Sequence, residues 1–147
     1  MQLEVRRIAA HDRERWAELF AAYVAFYETA VAEAVIEQTW QRLLAAGEGD
    51  PIGFVAVAGD DRPVGLAHLL FHRSTWSPTW YCYLEDLFVD PACRGMGAGR
   101  ALIAAVYREA DARGATRTYW VTQSHNAMAR TLYNRVAQLV PFVQYRR

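Results

Sequence analysis

Arg94-Gly95-Met96-Gly97-Ala98-Gly99 joins an apolar, aromatic run, Tyr81 to Val89, to a segment in which Leu102, Ile103, Val106 and Ala110 recur at helical spacing. Asp90-Pro91 stops the first segment as a strand, and Gly114 ends the second as a C-cap. The unit reads strand, loop, helix. Glycines at 95, 97 and 99 remove the Cβ atoms that would hold an anion away from the backbone, so several N–H groups can converge on it. The N-terminus of the following helix adds partial positive charge, and Arg94 adds a full one. Together these features predict a cradle for a pyrophosphate.

Two nucleotide loops fail against it. A P-loop ends in Gly-Lys-Ser/Thr, whereas this one runs Gly99-Arg100-Ala101, without the lysine or the magnesium-binding hydroxyl. A dinucleotide fingerprint needs G-x-G-x-x-G and a later carboxylate. Here the third glycine comes one residue early, and the next strand, around Arg117 to Thr122, has no acid.

Arg-x-x-Gly-x-Gly after a strand, within Tyr83 to Gly99, resembles the acetyl-coenzyme A signature of the GNAT superfamily of N-acetyltransferases, most closely its polyamine and Hpa-type histone acetyltransferase branch. The likeness continues through Tyr119-Trp120-Val121-Thr122, Asn126 and Ala129-Arg130-Thr131-Leu132-Tyr133, and covers roughly residues 81 to 145. It implies acetyl-CoA as cofactor. It also implies contacts to that cofactor from Leu87, Phe88 and Val89, from Arg94, Gly95, Met96, Gly97, Ala98, Gly99 and Arg100, and from Asn126.

Composition is consistent with one such domain. The 147 residues are 53% hydrophobic, enough for one substantial core and short for two. Lys plus Arg and Asp plus Glu number 16 each, so no overall field attracts nucleic acid or an acidic membrane. Cys82 and Cys93 have neither metal-ligand nor disulfide spacing. Charges at Glu4, Arg6, Arg7 and Asp12 argue against a signal peptide, and no apolar run reaches membrane-spanning length, so a cytoplasmic setting is the expectation.

The remaining elements follow from periodicity. Leu3 to Ile8 alternates as a half-exposed strand. Helices are predicted from about Asp12 to Tyr27, with Trp16, Leu19, Phe20, Tyr23 and Val24 on one face, and from about Ala32 to Ala46. Ile52 to Ala58 and Val64 to Phe71 flank a hairpin-type loop, and Phe142 to Tyr145 reads as a last strand. The order β-α-α-β-β-β-α-β-α-β predicts mixed α/β layers, a central mixed sheet with helices on both faces, as the GNAT fold also requires.

Glu85 and Asp86 interrupt an apolar strand. Neighbours in a strand face opposite sides, so at least one carboxylate faces something other than bulk water, either an ion pair or a site. The resemblance implies that Glu85 helps deprotonate the substrate amine through water. Direct transfer from an ammonium near pKa 10.4 to a glutamate near 4.3 is uphill by roughly 8 kcal/mol, so Glu85 would hold water and ammonium rather than act alone. Tyr133 follows Asn126 by seven residues, which puts both on one helical face if Asn126 is the N-cap. The resemblance makes Tyr133 the donor to the departing thiolate, uphill by about 2 kcal/mol for reference groups, while an apolar stripe of Ala129, Leu132, Tyr133 and Val136 makes it core.

Substrate signals are fewer. The aromatic loop from His72 to Trp80 places Trp76 either against an amine, through cation–π contacts, or in packing; Tyr27 and Asp86 complete the candidate pocket. His68 and His72 share a strand face without a third ligand, so no metal is expected. The expected partners are a small-molecule or peptide amine and, by resemblance to relatives that pair their last strands, a second copy in a homodimer. Two functions fit: direct acetyl transfer to a polyamine, amino acid or lysine side chain, or a non-catalytic acyl-CoA sensor.

Overall fold

The computed structural model describes residues 2–147. Five strands, β1 (Glu4–Arg7), β2 (Ile52–Val57), β3 (Pro63–His72), β4 (Tyr81–Val89) and β5 (Arg117–Tyr119), form one sheet in chain order. The first four run antiparallel, and β5 joins β4 in parallel. Helices α1 (Arg13–Phe26) and α2 (Glu33–Ala45) precede β2, α3 (Ala98–Ala112) connects β4 to β5, and α4 (Ala127–Val136) follows.

Each face of the sheet has its own apolar cluster. Trp16, Leu19 and Phe20 recur at helical spacing on α1 and pack with Trp40 and Leu43 of α2 against Leu66 and Phe88. On the opposite face Leu102, Ile103, Val106 and Ala110 of α3 cover Phe54, Ala67, Leu69, Cys82 and Leu84, with Leu132, Tyr133 and Val136 of α4 at the margin. Helices therefore cover both faces, as expected.

The alternation along β4 breaks once. His68 is paired with Asp86 but Leu69 with Leu84, which leaves Glu85 as an extra residue in β4. Before it, Cys82 and Leu84 face α3; after it, Asp86 meets His68 and Phe88 packs beneath α1, while Leu87 and Val89 turn to the α3 side. One inserted residue thus inverts the strand's facing pattern. The sequence expectation of regular alternation through Glu85-Asp86 is corrected by this bulge.

β5 pairs with β4 only through Tyr81–Arg117, Cys82–Thr118 and Tyr83–Tyr119. From Leu84 to Val89 the outer edge of β4 has no β5 partner. In an antiparallel ladder alternate residues turn their N–H and C=O away from the paired neighbour, so part of this backbone faces the gap.

The expected last strand is absent: residues after Val136 pair with no strand, and Phe142, Val143 and Tyr145 are exposed. The free edge beyond β4 is the three-residue β5, too short to template a strand, and Pro141 lacks an N–H for a ladder.

β1 is tied to the start of α1 by a buried ion pair. Asp12, 1% exposed, accepts two hydrogen bonds from the Arg6 guanidinium, at 2.8 and 3.0 Å, and one from the Ala9 N–H. Burial alone would raise the Asp12 carboxyl, but these donors hold it below its ordinary value. Its contribution to stability is therefore present above the unfolded aspartate pKa and is lost as pH falls through the lowered folded value. Arg6→Ala, which strands that buried charge, is expected to cost about 3 kcal/mol in urea unfolding at pH 7. The deficit should shrink as pH falls, beginning above the ordinary aspartate range, where the stranded, buried Asp12 of the variant takes up a proton.

Candidate active site

β4 runs along two cavities and passes from one to the other between Asp86 and Leu87. The first, about 800 Å³, is bounded by α1, α2, the loop before β2, and the side chains of Glu85 and Asp86. The second, about 550 Å³, is bounded by Leu87, Phe88 and Val89, the loop from Cys93 to Arg100, and α4. Tyr23 of α1 and Tyr27, the C-cap of that helix, border both, so the cavities meet beneath the helix end.

The second cavity has the features of an anion cradle joined to an apolar channel. Gly95 and Gly97 hold φ of +83° and +82°, a left-handed backbone that side chains disfavour. Gly97 is also the N-cap of α3, and no side chain caps that terminus, so its first N–H groups remain available to an anion. At Gly99 a Cβ would approach Leu132 to 3.2 Å, so the missing side chain lets α3 and α4 converge. Arg94 and Arg100 are exposed beside the loop, and Arg135 of α4 lines the same cavity. Asp90 secures the turn into the loop by accepting from the Ala92 N–H at 2.9 Å, and Arg15 of α1 pairs with its other oxygen at 2.6 Å.

Asn126 and Tyr133 both line this cavity. Asn126 is the N-cap of α4; its Oδ1 accepts from the Ala129 N–H at 3.3 Å, which leaves the amide NH₂ for a ligand. The Tyr133 ring packs edge-on to Trp120 at 5.4 Å. Burial first, and then the neighbouring Tyr27, push its phenol up to about 12. It therefore stays protonated, a hydrogen-bond donor, throughout the neutral and mildly alkaline range.

In the first cavity the bulge puts both carboxylates on one wall. Asp86 Oδ2 lies 2.8 Å from His68 Nδ1, and the buried His68 in turn receives the Trp16 indole N–H at 2.9 Å. Burial, followed by the charge of Asp86, raises the Glu85 carboxyl above its ordinary value. Tyr23 is raised too, by burial and then by the nearby Asp86. Glu48 and Asp50 from the loop before β2, and Arg42 from α2, complete the charged lining.

Most of the site residues expected from sequence border one cavity or the other. Met96 is half-buried in the loop and does not line the second cavity. Trp76, 86% exposed, lines neither, and its expected contact with an amine pocket is corrected: Trp80 of the same loop stacks instead under the Arg73 guanidinium at 3.7 Å. His72 bonds to the Arg73 carbonyl and to the Tyr119 hydroxyl. Sequence reasoning missed His68 and Arg42, and assigned Tyr23 to the core. Tyr23 carried only the apolar stripe as a signal, and nothing local in the sequence marks the other two as neighbours of Glu85 and Asp86.

Comparison with known proteins agrees with this geometry. Residues 12–137 match the acetyltransferase (GNAT) family. The D-amino-acid N-acetyltransferase HPA3 of Saccharomyces cerevisiae is 33% identical over 99% of this chain and 91% of its own length. The thialysine N-epsilon-acetyltransferase of Caenorhabditis elegans is 33% identical over 57% of this chain and 51% of its own. In fold, the chain superposes on the aminoglycoside N-acetyltransferase AAC(6')-Iy, solved in complex with CoA, with TM-score 0.84 at 20% identity over 99% and 94% of the two chains. An uncapped glycine-rich turn, a bare strand edge and a second cavity with carboxylates at their junction fit acetyl-CoA and an amine; the chain belongs to the GNAT family and is an acetyl-CoA-dependent N-acetyltransferase.

Proposed function

We propose that the chain, as one catalytic domain, acetylates the primary amine of an amino acid by direct attack, without an acyl-enzyme. The amine would occupy the first cavity between Glu85 and Asp86, and the substrate carboxylate would meet Arg42. The observation that carries this reading is the mixed charge of that cavity: Arg42 has no ion-pair partner among the described residues, although Glu48 and Asp50 share its lining. Arg42 of α2 and the carboxylates of β4 line this one cavity, an arrangement suited to a small zwitterion. The yeast and nematode relatives, by name, also act on amino acids.

Acetyl-CoA supplies an activated thioester. The chain's part is to bind, orient and manage protons. The glycine turn, the α3 N-terminus, Arg94 and Arg100 would hold the phosphates. Backbone N–H groups around Leu87 to Val89 would face the acyl oxygen as it gains charge. Glu85 and Asp86 would hold the ammonium and its water, and the amine must lose its proton before attack. Tyr133 would donate to sulfur. Full transfer from a phenol at about 12 to a thiolate near 8.5 is uphill by roughly 5 kcal/mol, so the phenol stabilises the leaving sulfur through a hydrogen bond rather than surrendering its proton outright.

A homodimer is supported by the exposed apolar residues Leu139, Val140, Phe142, Val143 and Tyr145 near the C-terminus, and a reducing, cytoplasmic setting by the free thiols Cys82 and Cys93.

Three measurements test the reading. In steady-state assays across an amine panel, Arg42→Ala is expected to raise KM for amino acids about tenfold or more, and to leave amines without a carboxylate unaffected; equal change for both would contradict it. Tyr133→Phe is expected to lower kcat by about 100-fold while the calorimetric Kd for CoA stays near that of the parent. Because the raised Glu85 carboxyl must be ionised to accept, activity is expected to fall as pH drops through a value above the ordinary glutamate range. Glu85→Gln should remove that acid limb and leave a lower, flatter profile.

A further inference from the structure

Trp16 is wholly buried, and His68, 2% exposed, borders the first cavity beside Asp86. The indole N–H can only donate, and it points at His68 Nε2 at 2.9 Å. Nε2 is therefore the acceptor nitrogen. The ring proton resides on Nδ1, 2.8 Å from Asp86 Oδ2, to which it donates. With Nε2 taken by the indole, the ring N–H that remains is the one turned to Asp86.

We propose that Trp16 and His68 are positioning residues that fix the orientation of the Asp86 carboxylate, with Oδ2 occupied by the imidazole and Oδ1 left for the substrate ammonium. The inference rests on the reading of the first cavity as the amine site. Its chemical consequence is a division of labour. Asp86 orients the ammonium through Oδ1, and Glu85, whose carboxyl is raised by burial, accepts from the water beside it.

The surroundings of the ring support this. From α1 it meets Trp16 and Phe20, the latter at 5.5 Å between ring centres, and across β2 it is opposite Gly53. On β4 the ionisable neighbours are Asp86 and the adjacent Glu85, and Tyr23 of α1 faces Asp86 from the cavity side. No other ionisable side chain among the described residues hydrogen-bonds to His68. The element that sets the tautomer, an indole, has no accessible protonation change of its own.

Nitrogen-detected NMR of the full chain reads the tautomer directly. The Nδ1–H tautomer of neutral His68 is expected, with Nε2 bare, and Trp16→Phe should release that preference so that the Nε2–H tautomer also appears. If Trp16→Phe does not fold, His68→Leu and His68→Gln carry the test. The leucine variant removes the donor to Asp86 and should lose about 100-fold in kcat/KM through misplacement of that carboxylate. Glutamine offers a carbonyl to Trp16 and an N–H to Asp86, and should recover most of that loss, with CoA affinity unchanged in both. A wild-type neutral ring that carries its proton on Nε2, or equal damage from glutamine and leucine, would overturn the proposal. The NMR result stands apart from turnover: the expected tautomer in a protein that acetylates no amino acid would count against the amine-site reading and leave the positioning of Asp86 intact.

Discussion

One extra residue in β4 sets the geometry on which everything else depends. Without the bulge at Glu85, strand alternation would send Glu85 and Asp86 to opposite faces, and Leu87 and Val89 away from the α3 side. With it, both carboxylates reach one cavity, Asp86 is opposite His68, and the strand beyond offers its apolar side chains to the second cavity. The inversion is stabilised on each side by packing: Leu84 lies in the α3 cluster and Phe88 in the α1 cluster, so any shift in register would bury the wrong side chains twice.

The short β5 has the complementary role. It pairs with β4 for three residues and then diverges, so that polar backbone, normally spent on a neighbouring strand, remains open where the two cavities meet. α3 and α4 line the same opening, and the missing side chain at Gly99 lets them approach Leu132 and Val89 closely. A pantetheine-like arm could enter along that opening with its phosphates at the glycine turn. The ion pairs of Arg6 with Asp12 and Arg15 with Asp90 stand away from the chemistry and fix the N-terminal end of α1 on the sheet, while Tyr23 and Tyr27 at its other end border the junction.

What the sequence revealed was local. The strand, the glycine turn and the following helix have patterns set by residues close in the chain, and Asn126 announces a helix start by its own capping chemistry. Free backbone N–H groups around Leu87 to Val89 were expected, but the place of the bulge at Glu85 was not legible, because it is a mismatch between two strands and each looks regular alone. His68 appeared only as one of two histidines on a strand face, weighed for a metal; its place beside the site comes from Trp16, 52 residues earlier, and Asp86, 18 residues later. Trp76 illustrates the reverse error, since aromatic content near an active strand says nothing about which way a loop turns. The tail after Val136 has strand-like composition but no neighbour in the chain to pair with.

The most direct measurement is a crystal structure with coenzyme A bound. The diphosphate is expected on the N–H groups of the Gly95–Gly99 turn, the arm along Leu87 to Val89, and the sulfur at the passage between the two cavities, within hydrogen-bond reach of Tyr133. A sulfur that ends away from this passage, or a diphosphate bound elsewhere than the glycine turn, would contradict the account.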